Sequence, residues 1–466
     1  MTHGKRTTAD LPGPRGMAFL LEAVAFRPNA LHLAIERWCA RYGPVFTMAI
    51  PGRRAVVFSD PDVIARALRE RPAVYRRIGL IEDVFEEMGI NGVFSAEGEA
   101  WRAQRRTVAA AVDAKHVRAF FPTLARVTRR LERRWLAAAA RDEPTDVLRE
   151  AMLYTVDVTT NLAFSYDMNT LEEPASPIQH DLERLFPMIN RRIALPYPYW
   201  RHVRLPADRA LDRSLVALRQ RIDGMVAETR ERVASSGTTG PRERNFLESA
   251  VTQAPGAPEL SSRDIFANVV NLLLGGEDTT ASTLAWALHY IGERPAVAAR
   301  LAAEADDVLG AADVVPRIED VARLRYHDAV VMETLRLRPV APVLALEANV
   351  ATELGGVALP PGTVVSLLLR PSALDERRFP RAHAFEPERW LADAPPPETF
   401  AFGAGPPAVV PRAQSRARRA RGRVVDDLKN FEVGPCGDRR KVTENYALTM
   451  FPKNLRLRLR ARAPGP

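Results

Sequence analysis

Cysteine is almost absent from this chain: two residues, Cys39 and Cys436, in 466. That count excludes a disulfide framework and a multi-cysteine metal site. Long hydrophobic runs are missing too. No stretch of about 20 uninterrupted apolar residues occurs, so no membrane span is expected. The opening residues Met1 to Asp10 are polar and basic and lack the apolar core of a signal peptide. A cytoplasmic protein is expected. Acid is in relative shortage, and a net charge of +9 raises the question of nucleic acid. Yet six arginines and no acid fall between Arg412 and Arg423, which leaves +3 for the rest of the chain. No aromatic residue interleaves with them, as a stacking platform for single strands would require. No nucleic-acid partner is expected.

What is present is apolar and helical. Hydrophobic residues make up 46% of the chain, enough for a large core. Ala30 to Arg41 carries apolar residues at helical spacing. Val45 to Ile50 and Arg54 to Phe58 read as strands around a Pro51-Gly52 turn. Asp60 caps a helix from Pro61 to Arg69. Several Ala-, Leu- and Arg-rich helices lie between Trp101 and Phe164, and a helix pair is expected from Leu205 to Val233. Ser235 to Arg242 is a loop. Ser261, with Asp264 at capping-box spacing, opens an apolar segment that runs to about Tyr290. Such a helix would be roughly 45 Å long and buried on all sides. A helix from Pro316 to Leu337, short strands to Leu369 and a proline-rich irregular stretch to Pro397 follow. There is no internal repeat and no clear linker. One mainly α domain with small β regions, near the N-terminus and around residues 343–369, is the expected fold.

Four clusters carry chemistry. The first is Gly275-Gly276-Glu277-Asp278-Thr279-Thr280, inside the long apolar segment. Two glycines cost about 1 kcal/mol each in a helix interior. Read alone, they suit equally a helix that ends at Gly276 and restarts at an Asp278 or Thr279 cap, or a kinked helix with its polar break against a cofactor. In the second case a carboxylate and a hydroxyl could hand on protons. The second cluster is Glu333-Thr334-Leu335-Arg336, a pair on one helical face, with Arg389 downstream as another cation for the same glutamate. The third is Trp101-Arg102-Ala103-Gln104-Arg105-Arg106. Its indole N–H and guanidinium share a face and suit a carboxylate, although a basic surface helix with a half-buried Trp fits as well. The fourth is the glycine-rich turn Thr399-Phe400-Ala401-Phe402-Gly403-Ala404-Gly405-Pro406.

In this order and spacing the four clusters resemble the cytochrome P450 family over nearly the whole chain, from Leu11-Pro12-Gly13-Pro14 to the strand near Leu455-Arg456-Leu457. The resemblance implies one P450 domain over residues 1–466, with residues 1–25 as a lead-in. It implies haem b as cofactor. It also implies insertion of one oxygen atom from O2 into an apolar substrate, with electrons from a separate ferredoxin, flavodoxin or reductase, in a monomer. Asp278 and Thr279 would relay protons. Trp101 and Arg105 would hold a haem propionate, with Phe402, Gly403 and Gly405 also along the cofactor. Glu333, Arg336 and Arg389 would be a structural triad. Segments Ile78–Phe94 and Phe186–Tyr199 would line or cap the substrate pocket.

One segment departs from the family. After Gly405-Pro406 the family has Arg, any residue, Cys, any residue, Gly. This chain has Pro407-Ala408-Val409-Val410-Pro411, so Val409 stands where the iron-ligating cysteine is expected. The thiolate pushes electron density that favours O–O cleavage, and valine supplies none. Back-translated and read one nucleotide later, Pro407 to Ala417 permits Pro-Arg-Leu-Cys-Pro-Gly-Arg-Ser-Leu-Ala, with the cysteine codon across Val410 and Pro411. The hypothesis is a local double frameshift between about Pro406 and Val424, with family likeness back by Lys429-Asn430-Phe431-Glu432-Val433. The alternatives are a true divergent loop at the DNA level and, for function, a haem-free relic or binding scaffold.

Overall fold

The computed structural model describes residues 6–14, 28–50, 53–111, 114–173, 177–195, 197–235, 245–252, 260–310, 312, 314–315, 317–392, 396–404, 427–437 and 441–462. The helices are α1 (Leu31–Tyr42), α2 (Pro61–Arg69), α3 (Gly79–Glu87), α4 (Gly98–Ala111), α5 (Ala114–Ala140), α6 (Val147–Phe164), α7 (Pro177–Ala194), α8 (Pro206–Ser235), α9 (Phe246–Thr252), α10 (Ser262–Gly292), α11 (Pro295–Leu309), α12 (Arg325–Leu337) and α13 (Arg370–Ala373). The strands are β1 (Val45–Ile50), β2 (Arg53–Phe58), β3 (Tyr75–Arg77), β4 (Pro144–Thr145), β5 (Val343–Ala348), β6 (Thr352–Leu354), β7 (Val357–Leu359), β8 (Val364–Leu368), β9 (Phe431–Pro435), β10 (Thr443–Ala447), β11 (Thr449–Lys453) and β12 (Leu457–Ala461).

Local signals start the elements where expected. The Asp60 carboxylate accepts from the backbone N–H of Asp62 and Val63 at 3.0 and 3.1 Å, with Pro61 opening α2. Ser261 and Asp264 close a reciprocal capping box at the head of α10. Three expectations need correction. Leu205 to Val233 is one helix, α8, and not a pair; Gly224 inside it faces open space and is carried through at about 1 kcal/mol. The helix expected from Pro316 begins only at Arg325. The two β regions share one sheet, ordered β1-β2-β8-β5-β3, in which β2 pairs parallel to β8 (Val56 opposite Val365), while β6 and β7 form a separate two-stranded sheet. The Pro51-Gly52 turn and most of the loop expected at 235–242 lie outside the described residues.

Helix α10 is the spine. Ile265, Phe266 and Val270 in its first half are buried with Leu182 and Leu185 of α7 and Leu218 of α8. Leu284, Ala285 and Leu288 in its second half are buried with Trp135 of α5, Tyr154 of α6 and Val330 of α12. A segment buried on every side loses its helical moment but gains from packing on all faces. Close packing on α6 depends on Gly276. A Cβ there would fall 2.3 Å from Thr159 Oγ1, whereas a Cβ on Gly275 would meet nothing within 4 Å. The two glycines should therefore respond oppositely to alanine. Gly276→Ala is expected to destabilise by about 1–3 kcal/mol through overpacking. Gly275→Ala is expected to be neutral or to gain up to about 1 kcal/mol. Urea denaturation of both variants checks this, and equal losses would show that the α6 contact is not what Gly276 serves.

Candidate active site

The polar break does not interrupt α10. The helix is continuous through Gly275 and Gly276, so the alternative of a stop and restart is set aside. The hydroxyls nearby bond back into the helix. Thr279 Oγ1 donates to the Gly275 carbonyl at 2.9 Å, and Thr283 Oγ1 donates to the Thr279 carbonyl at 2.7 Å. From α6, Thr155 Oγ1 donates to the Glu277 carbonyl at 3.2 Å. The break also opens the helix on one side. Gly275 is exposed and Thr279, one turn on, is half-buried, although Leu274, Glu277, Asp278 and Ala281 around them are buried. A bare strip of this kind halfway along a core helix is where a flat group could approach the backbone closely.

Asp278 faces β11. It is buried, and Thr449 on β11 donates a hydroxyl hydrogen bond to its Oδ2 at 3.2 Å. Burial raises its carboxyl to about 6, against the lowering effect of the Thr449 bond. At neutral pH such a group lies close enough to its titration point to lose and regain a proton readily. Thr449 gave no sequence signal, since it sits 171 residues further on.

Trp101 and Arg105 lie one turn apart on α4, both half-buried. Gln104 between them donates to Asp264 Oδ1 at 3.3 Å, which ties α4 to the head of α10. The Arg105 Nε is buried with no hydrogen-bond partner, and burial lowers the guanidinium from its ordinary value with no acid to offset it. A buried cation without an anion calls for one from outside the chain. Arg77, missed in the sequence, is similar. It lies on β3, its guanidinium 4.0 Å over the Phe94 ring, and makes no side-chain hydrogen bond among the described residues. Burial and the neighbouring Arg71 pull it down to about 10. The loop bearing Phe94 is pinned to α10, where Asn268 and Asn271 accept from the N–H groups of Val93 and Phe94. The only hint in the sequence was its place one residue before the Ile78–Phe94 segment expected to line the pocket.

The structure brings Glu333, Arg336 and Arg389 together. Glu333 and Arg336 are fully buried and paired through two bonds of 2.8 Å, and Arg389 Nε reaches Glu333 Oε1 at 3.1 Å. The Glu386 N–H and the Trp390 indole N–H add two more donors to the same carboxylate, each at 2.9 Å. Arg336 also donates to the carbonyls of Ala373, Ala382 and Ala384. One ion pair thus holds the irregular stretch after α13 against α12. Downstream, Phe402 packs on the main core, and Gly403 turns the chain at a φ of +75°, where glycine carries no penalty. Gly405, Val409 and the rest of the expected aberrant stretch, 406–424, lie outside the described residues. The two thiols are elsewhere. Cys39 is buried on α1 against Ser59 Oγ at 3.2 Å, and burial pushes its thiol up. Cys436 follows β9, whose Val433 meets Gly292 at the far end of α10, roughly 20 Å of helix from Thr279. No cluster of three or more metal-ligating side chains occurs among the described residues.

The sequence profile described as Cytochrome P450 matches residues 11–408. The chain belongs to the cytochrome P450 family. A cyclooctatin synthase and a cyclooctat-9-en-7-ol 5-monooxygenase, both from Streptomyces melanosporofaciens, are each 30% identical over 76% of this chain and over 74% and 73% of their own lengths. The chloroplastic protein LUTEIN DEFICIENT 5 of Arabidopsis thaliana is 25% identical over 82% of this chain, which spans 66% of the plant protein. A crystallised cytochrome P450, 24% identical, superposes with a TM-score of 0.81 over 93% of this chain and 98% of its own. The mainly helical architecture is therefore the P450 fold. The family's chemistry is haem-dependent monooxygenation, with O2, an electron-transfer partner and hydrophobic substrates. Nothing in these likenesses favours the haem-free scaffold. No helix among the described residues is long and apolar enough to cross a membrane.

Haem fits this chain at one end only. The bare strip at Gly275 and Thr279 and the unpartnered Arg105 suit a flat group with an anionic edge. The iron end does not fit, because Val409 offers no ligand and both cysteines are committed elsewhere.

Proposed function

We propose that this P450 was shaped to insert one oxygen atom from O2 into a large apolar substrate, of fatty-acid or terpenoid character, as a cytoplasmic monomer served by a separate ferredoxin, flavodoxin or reductase. The observation that carries the reading is the buried Asp278 next to Thr279, which with Gly275 forms a bare strip on an otherwise buried stretch of helix. Haem, when bound, supplies the oxygen chemistry. The chain's residues bind, orient and move protons. Arg105, with Trp101 beside it and Arg77 as a further cation, holds the anionic edge. Phe402, Gly403 and, by the family resemblance, Gly405 would help to hold the cofactor. Glu333, Arg336 and Arg389 keep that region in place. Asp278 holds a proton and passes it towards the Thr279 hydroxyl. The terpenoid suggestion leans on the names of the two Streptomyces relatives. For the iron end we propose the double frameshift between Pro406 and Val424, because a one-nucleotide shift exposes so many motif residues in register. Nucleotide sequencing tests it: without T-G-C across the codons of Val410 and Pro411 the idea is dead.

Asp278 makes the proposal measurable without turnover. Its folded carboxyl titrates near 6, above the ordinary 3.8. The folded state therefore holds an extra proton between those values. The stability this brings is present in full below pH 3.8 and is lost as pH rises through about 6. Asp278→Asn removes the dependence. From pH 4 to pH 7 the variant should gain on the parent by on the order of 3 kcal/mol in urea unfolding. Parallel curves for the two proteins would mean that Asp278 is not a buried acid, and the relay would lose its donor.

A further inference from the structure

From Ile265 to Leu274 the only polar residues of α10 are Asn268 and Asn271, and both are buried. Asparagine is a poor helix former, and a buried carboxamide is costly unless its polar atoms are bonded. Here they are bonded, and three of the five bonds go to one loop. Asn271 Oδ1 accepts from the Phe94 N–H at 2.9 Å. Its Nδ2 donates to the Ile90 carbonyl at 2.8 Å and to the Ala267 carbonyl at 2.7 Å. Asn268 Oδ1 accepts from the Val93 N–H at 2.9 Å, and its Nδ2 donates to the Asp264 carbonyl at 2.8 Å. Gly92 lets the loop come this close, since a Cβ there would fall 2.7 Å from Asn271 Cγ and 2.8 Å from the Ala267 carbonyl oxygen. Asn271 lies one turn before Gly275, itself one turn before Thr279, so the loop covers the same face of α10 that the bare strip continues. The same loop holds Arg77. The Phe94 ring lies 4.0 Å from the guanidinium and is braced by the Phe85 ring at 5.4 Å. Three residues on, Glu97 Oε1 accepts from the Arg77 backbone N–H at 2.9 Å. Arg71 stands 4.0 Å from that oxygen, so the acid that bears on Arg77 is shared with a second cation.

We propose that Asn271, with Asn268 beside it, is a positioning residue for Arg77. The two carboxamides fix the backbone from Ile90 to Phe94 on α10. Phe94 and Glu97 then fix the side chain and the backbone of Arg77. Helix, loop and β3 form one bonded piece, in which the place of the cation is set from the same helical face that bears the strip. A loop without the clamp could carry the same residues, but the cation would have many positions instead of one, and its hold on an anion would weaken. The inference rests on the reading of Arg77 as a cation for the anionic edge of the cofactor.

Iron-free protoporphyrin IX tests the clamp, because a porphyrin without iron needs no axial ligand. Fluorescence titration of the purified chain compares it with its dimethyl ester, which lacks the negative charges. The parent should prefer the diacid by about tenfold or more, the scale of a charge-assisted hydrogen bond. Arg77→Gln should lose much of that preference. Asn271→Leu should come within about threefold of Arg77→Gln, and in the Arg77→Gln background it should change the preference no further. Damage to the fold alone would weaken diacid and ester alike and keep their ratio. A preference lost in Arg77→Gln but kept in Asn271→Leu therefore overturns the proposal alone. A preference unchanged in Arg77→Gln overturns the reading of Arg77, and the proposal with it. If Asn271→Leu does not fold, Asn271→Ser serves, since its hydroxyl bonds back to its own helix and releases the loop. Phenylglyoxal labelling, read at Arg77 by mass spectrometry, needs no porphyrin. Arg77 should react about tenfold faster in the Asn271 variant than in the parent, because the loop over it opens more often. Equal rates overturn the proposal, whether or not a porphyrin binds.

Discussion

Reconstituted with haem, reduced and exposed to carbon monoxide, the chain is expected to show none of the Soret band that marks a thiolate-bound iron. The reason is one atom. The thiolate must come from the residue at the place of Val409, and a valine isopropyl group has no lone pair to give. The other two sulfurs cannot stand in. Cys39 is locked between α1 and Ser59 with its thiol pushed up, which lowers the thiolate fraction. Cys436 directly follows β9, a strand of the sheet at the far end of α10. Replacing Pro406 to Ser415 with Pro-Arg-Leu-Cys-Pro-Gly-Arg-Ser-Leu-Ala, which sets the cysteine at position 409, should restore the band. A thiolate band from the unrepaired chain would sink this expectation, and Cys39→Ser and Cys436→Ser would then show which sulfur had moved. No band from either chain would point to a scaffold that has lost haem altogether.

The extents of the family likeness bear on the same point. The profile match stops at residue 408, one position before Val409. The superposition on the crystallised relative covers 93% of the chain, so it has to resume beyond the aberrant stretch. There, β9 pairs with β12 from Phe431 opposite Ala461 to Pro435 opposite Leu457, and Trp135 of α5 packs edge-on to Phe431. A terminal sheet with good register after an unmatched stretch is what a second, compensating shift would leave.

What could be read from the sequence follows the range of each interaction. The head of α10 was legible because Ser261 and Asp264 are three apart, and the Glu333–Arg336 pair because helical spacing sets its geometry. Partners brought in by the fold were not. Thr449 on Asp278, Asn271 on the Phe94 backbone and the parallel pairing of β2 with β8 join residues far apart in sequence, and no local pattern encodes them. The misreading of α8 as two helices has a different cause. Gly224 looks like a stop by propensity, but its outward position makes its cost small against the apolar face that the helix buries. Arg77 carried no sequence signal of its own; its burial against Phe94, without a side-chain hydrogen bond among the described residues, sets it apart.

Glu333→Gln should be strongly destabilising. Five donors converge on this carboxylate: two from Arg336 and one each from Arg389, Trp390 and the Glu386 backbone. It and Arg336 are fully buried. The amide keeps the shape but loses the charge, and one of its two ends turns from acceptor to donor. Arg336 is then left buried without a counter-charge, a loss of about 3–5 kcal/mol. Typical total stabilities are about 5–15 kcal/mol, so the variant should unfold at far lower urea or fail to accumulate. Arg66→Ala gives the contrast. Arg66 also bonds a glutamate, Glu70, at 2.8 Å, but on the surface of α2 with half of its side chain in water. Its loss should cost no more than about 1 kcal/mol. The two pairs share their ion types and bond length, so burial and the number of donors account for the difference. If Glu333→Gln unfolds within about 1 kcal/mol of the parent, the pair is not what holds the stretch from Ala373 to Trp390 on α12, and the carbonyl bonds of Arg336 must carry that task without it.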